Sequence, residues 1–181
     1  MWKTGLWLVA ALAIAVPASA QAPAAGSTKL SGKVHCDKAD AAPVVEVGDK
    51  PGHALTIRKA SCSWTDGQIA GLAPKSAMDV ASTEISGATV KDGGYHTVTM
   101  DNGDKYTVHF AGTGTMNKDN SGTIDGKWSF VSGTGKLKGI KGSGTYKGNA
   151  NADGTGDVNV EGDYTLPAAK PTPPAPAAKK K

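Results

Sequence analysis

Trp128-Ser129-Phe130-Val131-Ser132-Gly133-Thr134-Gly135-Lys136-Leu137-Lys138-Gly139-Ile140-Lys141-Gly142-Ser143-Gly144-Thr145-Tyr146 runs from an alternating strand through a glycine-rich turn into a second strand. Trp128 and Phe130 alternate with serines, the two-residue period of a strand with one buried face. Within the turn, Leu137 and Ile140 are expected to tuck into the end of a β-structure while Lys136, Lys138 and Lys141 face water. Glycines inside strands remove side chains where a strongly curved sheet must bend, as it does on closing into a barrel. The stretch lacks the Gly-x-x-x-x-Gly-Lys-Ser/Thr spacing of a phosphate loop, and no helical pattern follows it.

The pattern recurs. Ile124-Asp125-Gly126-Lys127-Trp128-Ser129-Phe130 matches Val160-Glu161-Gly162-Asp163-Tyr164-Thr165-Leu166 in residue type, position for position. Upstream, Leu30, Val34 and Cys36 alternate with polar residues, and a second strand at His53 to Arg58 leads to Cys62 and Trp64, both placed inside. Asp66 to Lys75 loses the pattern and reads as a loop with room for one helical turn. In Tyr95 to Phe110, Asn102-Gly103 is the preferred pair for a two-residue type I′ hairpin. Pairing Asp101 with Asp104 sets Tyr95 opposite Phe110, Thr97 opposite Val108 and Thr99 opposite Tyr106 on the core face, and His96 opposite His109 on the other. No stretch after residue 20 has convincing helical periodicity. The expected fold is all-β, an antiparallel barrel of about eight strands, with a β-sandwich as the alternative.

The ends differ from the middle. Residues 1–20 have the lysine, apolar run and Ala18-Ser19-Ala20 exit of a secretory signal peptide, which predicts export to a periplasmic or extracellular space. Residues 21–27 are read as a flexible lead, 28–166 as the β-barrel domain, and the Pro/Ala/Lys-rich 167–181 as a disordered tail. The chain carries a formal charge of +4. Between Gln21 and Leu166, however, 15 Lys and Arg face 16 Asp and Glu, one net negative charge. That balance excludes the basic face of a nucleic-acid-binding domain. Lys179, Lys180 and Lys181 suit an anionic envelope surface; a solvated tail is the alternative. The two cysteines, Cys36 and Cys62, are expected to form a disulfide in an oxidising compartment, with a metal site shared by Cys36 and the adjacent His35 as the rival.

Gly133 to Tyr146 resembles the turn between late strands of allene-oxide-cyclase-like and dirigent-like barrels, and Val160 to Leu166 resembles their last strand. The resemblance covers the last third of the chain. It implies a small eight-stranded barrel whose lumen takes a hydrophobic or phenolic ligand, often in an oligomer. None of those families' catalytic residues is matched at a position here.

Candidate chemistry is sparse. Lumen candidates are Trp64, Tyr106, Phe110, Trp128, Phe130, Tyr146 and Tyr164, aromatic residues of the inward sets that suit an apolar or aromatic ligand. His96 and His109, if paired across the hairpin, could share Zn²⁺ or Cu²⁺ weakly; no other cofactor is indicated. Asn117 to Asp125 mimics the start of a calcium loop but ends on Trp128 where a glutamate is required, and Asn151 to Asp157 shows the same composition serving a hairpin. No nucleophile elbow and no free cysteine is present, so no catalytic residue is assigned. The expected function is binding of a small apolar or aromatic molecule, or an interaction role in the envelope. The alternatives are an isomerase or cyclase working in the lumen, and a structural protein tethered by its lysines.

Overall fold

Alternating side chains leave most strands one apolar face to bury, and the chain buries eight strand faces at once by rolling them into a tube. A computed structural model describes residues 26–40 and 43–168. The strands are β1 (Thr28–Cys36), β2 (Val44–Glu46), β3 (His53–Asp66), β4 (Pro74–Ser86), β5 (Thr89–Met100), β6 (Lys105–Met116), β7 (Gly122–Gly133), β8 (Lys141–Ala150) and β9 (Gly156–Thr165). Their order is β1-β9-β8-β7-β6-β5-β4-β3-β2, and β1 also pairs with β3. That last pairing closes an eight-stranded antiparallel barrel and leaves β2 as a short appendage on the first half of β3. The barrel expectation holds. Residues 1–20, read as a signal peptide, and 169–181 of the segment read as a tail lie outside the described part of the chain.

The closing seam is short, joining Lys33–Cys36 of β1 to Cys62–Asp66 of β3. Cys36 and Cys62 are direct cross-strand partners there and form the expected disulfide.

One end of the tube is plugged and the other is open. Between β3 and β4 the chain makes a tight turn, Ile69 bridging Leu72 with Ala70 and Gly71 at positive φ. This turn, and not a helical turn, buries Ile69 and Leu72 beneath the sheet. Between β7 and β8, Gly135–Leu137 forms a single 3-10 turn. It buries Leu137 and Ile140 at the same end, while Lys136, Lys138 and Lys141 are exposed. The matched hairpin loops sit at the opposite, open end. In each, an Asp (Asp119, Asp153) accepts from the amide and hydroxyl of the residue two further on, Ser121 or Thr155. The calcium-like composition is hairpin chemistry.

The β5–β6 register differs from the expected one by a single residue. Met100 N donates to Asp104 O and Gly103 N to Met100 O, so the loop holds three residues, with Gly103 at φ +86°. Three-residue loops of this kind combine a type I turn with a left-handed residue. Neighbours fix the choice: Asp101 N donates to Ala73 O, and the Asp104 carboxylate accepts the Lys136 amide. Because strand side chains alternate with period two, a one-residue slip turns β5 over. Tyr95 pairs with His109 on the outer surface, where their rings meet edge to face with centroids 5.2 Å apart. His96 points inward opposite Val108. His96 and His109 therefore lie on opposite faces of the sheet and cannot share a metal ion. Among the described residues, no group of three or more His, Cys, Asp or Glu is placed to hold one.

At the open rim, His53 Nδ1 lies 2.6 Å from Asp49 Oδ1, and its Nε2 lies 3.1 Å from Glu84 Oε1. The Asp49 bond and then the Glu84 bond raise the His53 pKa from its ordinary 6.5, against a weaker desolvation effect. His53 in turn lowers Asp49 and Glu84 from their ordinary 3.8 and 4.5. A raised histidine stabilises fully below its unfolded pKa and loses that contribution as pH rises through the folded value. A lowered carboxylate stabilises above its unfolded pKa and loses that contribution as pH falls through the folded value. The cluster is thus strongest between the unfolded pKa values of 4.5 and 6.5. Imidazole NMR should give His53 a midpoint above 6.5, lowered by Glu84→Gln; a midpoint at or below 6.5 contradicts the bridging geometry.

Candidate functional site

The open end leads into a cavity of about 410 Å³, within the size range of small-molecule pockets. Trp64, Tyr106, Phe110, Trp128, Phe130 and Tyr146 all line it. Tyr164, the seventh aromatic candidate, is buried at the plugged end, where its hydroxyl accepts the Ala70 amide at 2.9 Å; it is not among the lining residues.

The cavity stays open because its rings lie against the wall. Trp128 pairs with Gly144, which pairs with Gly162 on the next strand. A Cβ added at either glycine would stand 2.7 or 2.6 Å from Trp128 Cζ2. Tyr146 repeats the arrangement on Gly126 and Gly112, where an added Cβ would stand 2.7 Å from its Cε1 or on its hydroxyl oxygen. Gly126 and Gly162, one in each pair, are the central glycines of the repeat read in the sequence. Each pair lets one aromatic ring rest on the backbone of two neighbouring strands, in the manner of aromatic cover over strand glycines.

One wall of the cavity is polar, built by three adjacent strands. On β4 and β5, Asp79 pairs with His96 and Thr83 with Asp92. Between those pairs stand Ala81 and Gly94, and Arg58 of β3 pairs with Ala81. The two small residues leave the wall clear for the guanidinium, which donates to Asp79 Oδ2 at 3.1 Å and Asp92 Oδ2 at 2.7 Å. Thr83 Oγ1 donates to Asp92 Oδ1 at 2.8 Å. Burial opposes the guanidinium charge, but Asp92 and Asp79 outweigh it and raise the Arg58 pKa. At the other end of the network, Trp64 Nε1–H donates to His96 Nε2 at 3.3 Å. The His96 proton therefore sits on Nδ1, 3.0 Å from Asp79 Oδ1, and the imidazole is neutral in this arrangement.

Two buried polar atoms of the barrel have no partner. The hydroxyls of Tyr106 and Tyr146 are buried without a hydrogen bond. Burial raises both phenol pKa values, and for Tyr146 the charges of Asp92 and Asp79 raise it further, against Arg58.

Arg58, Asp79, Thr83 and Asp92 were not singled out from sequence. A signal existed: Arg58 shares strand parity with Cys62 and Trp64, Asp79 and Thr83 with Ile85, and Asp92 with Val90.

Fold and site together define a hollow eight-stranded antiparallel barrel with an aromatic lumen and one charged wall. No family model matches the chain, and no curated protein matches it. Among solved structures it is similar to a pterocarpan synthase dirigent protein at 14% identity, covering 77% of this chain and 95% of the other, with a TM-score of 0.45. A second protein of that description gives 13% identity, 83% and 99% coverage and a TM-score of 0.44. The barrel assignment rests on this chain's own strand pairing, which gives the architecture that the Gly133 to Tyr146 resemblance implied.

Proposed function

We propose that the protein binds one small, largely aromatic molecule in its lumen. The observation that carries this reading is the cavity of about 410 Å³ lined by six aromatic side chains, with Arg58, Asp79, Thr83 and Asp92 on one wall. An apolar cavity binds by removing apolar ligand surface from water, and the few polar groups on its wall orient what enters. Export to an oxidising compartment fits the disulfide and the N-terminal pattern. A purely structural envelope role does not account for a hollow interior with a charged wall.

Trp64 and Trp128 line the cavity and report on it. Titration with 2-naphthol should change tryptophan fluorescence saturably, with one site per chain. Val160→Phe, which fills lumen space from β9, should weaken binding about tenfold through overpacking of the site. A wild-type protein silent to 2-naphthol in both fluorescence and calorimetry, or an affinity untouched by Val160→Phe, would count against lumenal binding.

A further inference from the structure

The lumen's electrostatics narrow the ligand class. On the polar wall of the cavity the charged side chains are Arg58, Asp79 and Asp92, so one guanidinium faces two carboxylates. His96 adds no compensating charge, because its Nε2 accepts the Trp64 indole proton. Asp37, the one other charged side chain among the cavity-lining residues, stands near the mouth and is also acidic. The wall thus holds at least one negative charge in excess, on carboxylates about a tenth exposed, where an unbalanced charge is disfavoured. Protonating His96 would supply the balance, but Nε2 would then become a donor facing the Trp64 donor.

The remaining lining complements a positive charge independently. Trp128 and Tyr146, each backed by strand glycines on one side, can offer the other ring face to a cation, and edge-to-face contacts hold them in place, with Trp128 to Phe130 centroids at 5.3 Å and Phe110 to Tyr146 at 6.0 Å. Negative wall and aromatic faces both complement a cation. Resting on the lumenal binding proposed above, we infer that the ligand is an organic monocation, an aromatic or apolar skeleton carrying one ammonium or similar group directed at Asp92 and Asp79.

Three probes sharing one naphthalene ring test this by calorimetry on the full chain: 2-(1-naphthyl)ethylamine, 2-(1-naphthyl)ethanol and 1-naphthylacetate. The ammonium should bind about tenfold more tightly than the alcohol, and the carboxylate most weakly. Asp92→Asn should remove the ammonium's advantage over the alcohol. The wild-type series needs no variant and so stands even if that substitution unfolds the barrel. Equal affinity across the series would overturn the charge inference and leave lumenal binding intact. Tightest binding of the carboxylate would do the same. Alcohol binding with uptake of one proton, read by repeating the titration in buffers of different ionisation enthalpy, would put the missing charge on His96 and overturn the inference. Failure of all three probes to bind would overturn both readings.

Discussion

Arg58→Met should destabilise the barrel by about 3 kcal/mol, the loss expected when one partner of a buried charge cluster is removed, read as a lowered urea midpoint at unchanged slope. The side chain's aliphatic stem survives in methionine; what goes is the guanidinium. Asp79 and Asp92, each with about a tenth of its side chain exposed, would then face one another across Ala81 without a cation. Arg58 itself is 30% exposed, which puts the expectation at the lower end of the range for buried pairs. Asp79→Asn and Asp92→Asn added to the same chain should recover much of the loss, because a cluster removed whole leaves no orphan charge. An Arg58→Met chain within roughly 0.5 kcal/mol of wild type, the scatter of surface changes, would mean the wall is open to water.

Breaking the disulfide should cost a similar amount. Cys36 and Cys62 lie 26 residues apart, and constraining a loop of that length stabilises by about 3.5 kcal/mol on the chain-entropy model. The loss should also have a location. The β1–β3 ladder is the shortest of the eight that close the tube, and the bond sits at its inner limit, where β3 leaves β1 for β2. In the Cys36→Ala/Cys62→Ala chain, amide hydrogen exchange should accelerate first along Val34–Cys36 and Cys62–Trp64, with β6–β8 following only at global unfolding. Uniform acceleration across all strands would show that the seam is no weaker than the rest of the sheet.

Much of this barrel is legible in the chain. Strict alternation in β1 and β9, the matched loops and the paired glycines specify strands, turns and curvature from local chemistry. The disulfide follows from compartment and count. Two things were not legible. The Asn102-Gly103 pair suits a two-residue turn, yet Ala73 and Lys136, distant in sequence, hold a three-residue one, and only the folded barrel brings those partners together. The polar wall was hidden for a different reason. Hydrophobicity marks the inward face in most strands, but β3 and β4 carry Leu55, Ile57 and Val80 on the outside and Arg58, Asp79 and Thr83 within. In these strands hydrophobicity points the wrong way, and only parity counted from Cys62 or Ile85 identifies the inward set.

The glycine pairs beneath Trp128 and Tyr146 bear on how selective the lumen is. A ring backed by side chains can be pushed aside by a slightly oversized guest, since rotamers yield. A ring backed by main chain on two hydrogen-bonded strands has nothing soft behind it. The aromatic walls are therefore stiff outward, and accommodation is left to the open rim and its loops. On the proposed lumenal binding, affinity should rise with ligand size until the rings are reached and then fall abruptly, a discrimination by width sharper than that by length.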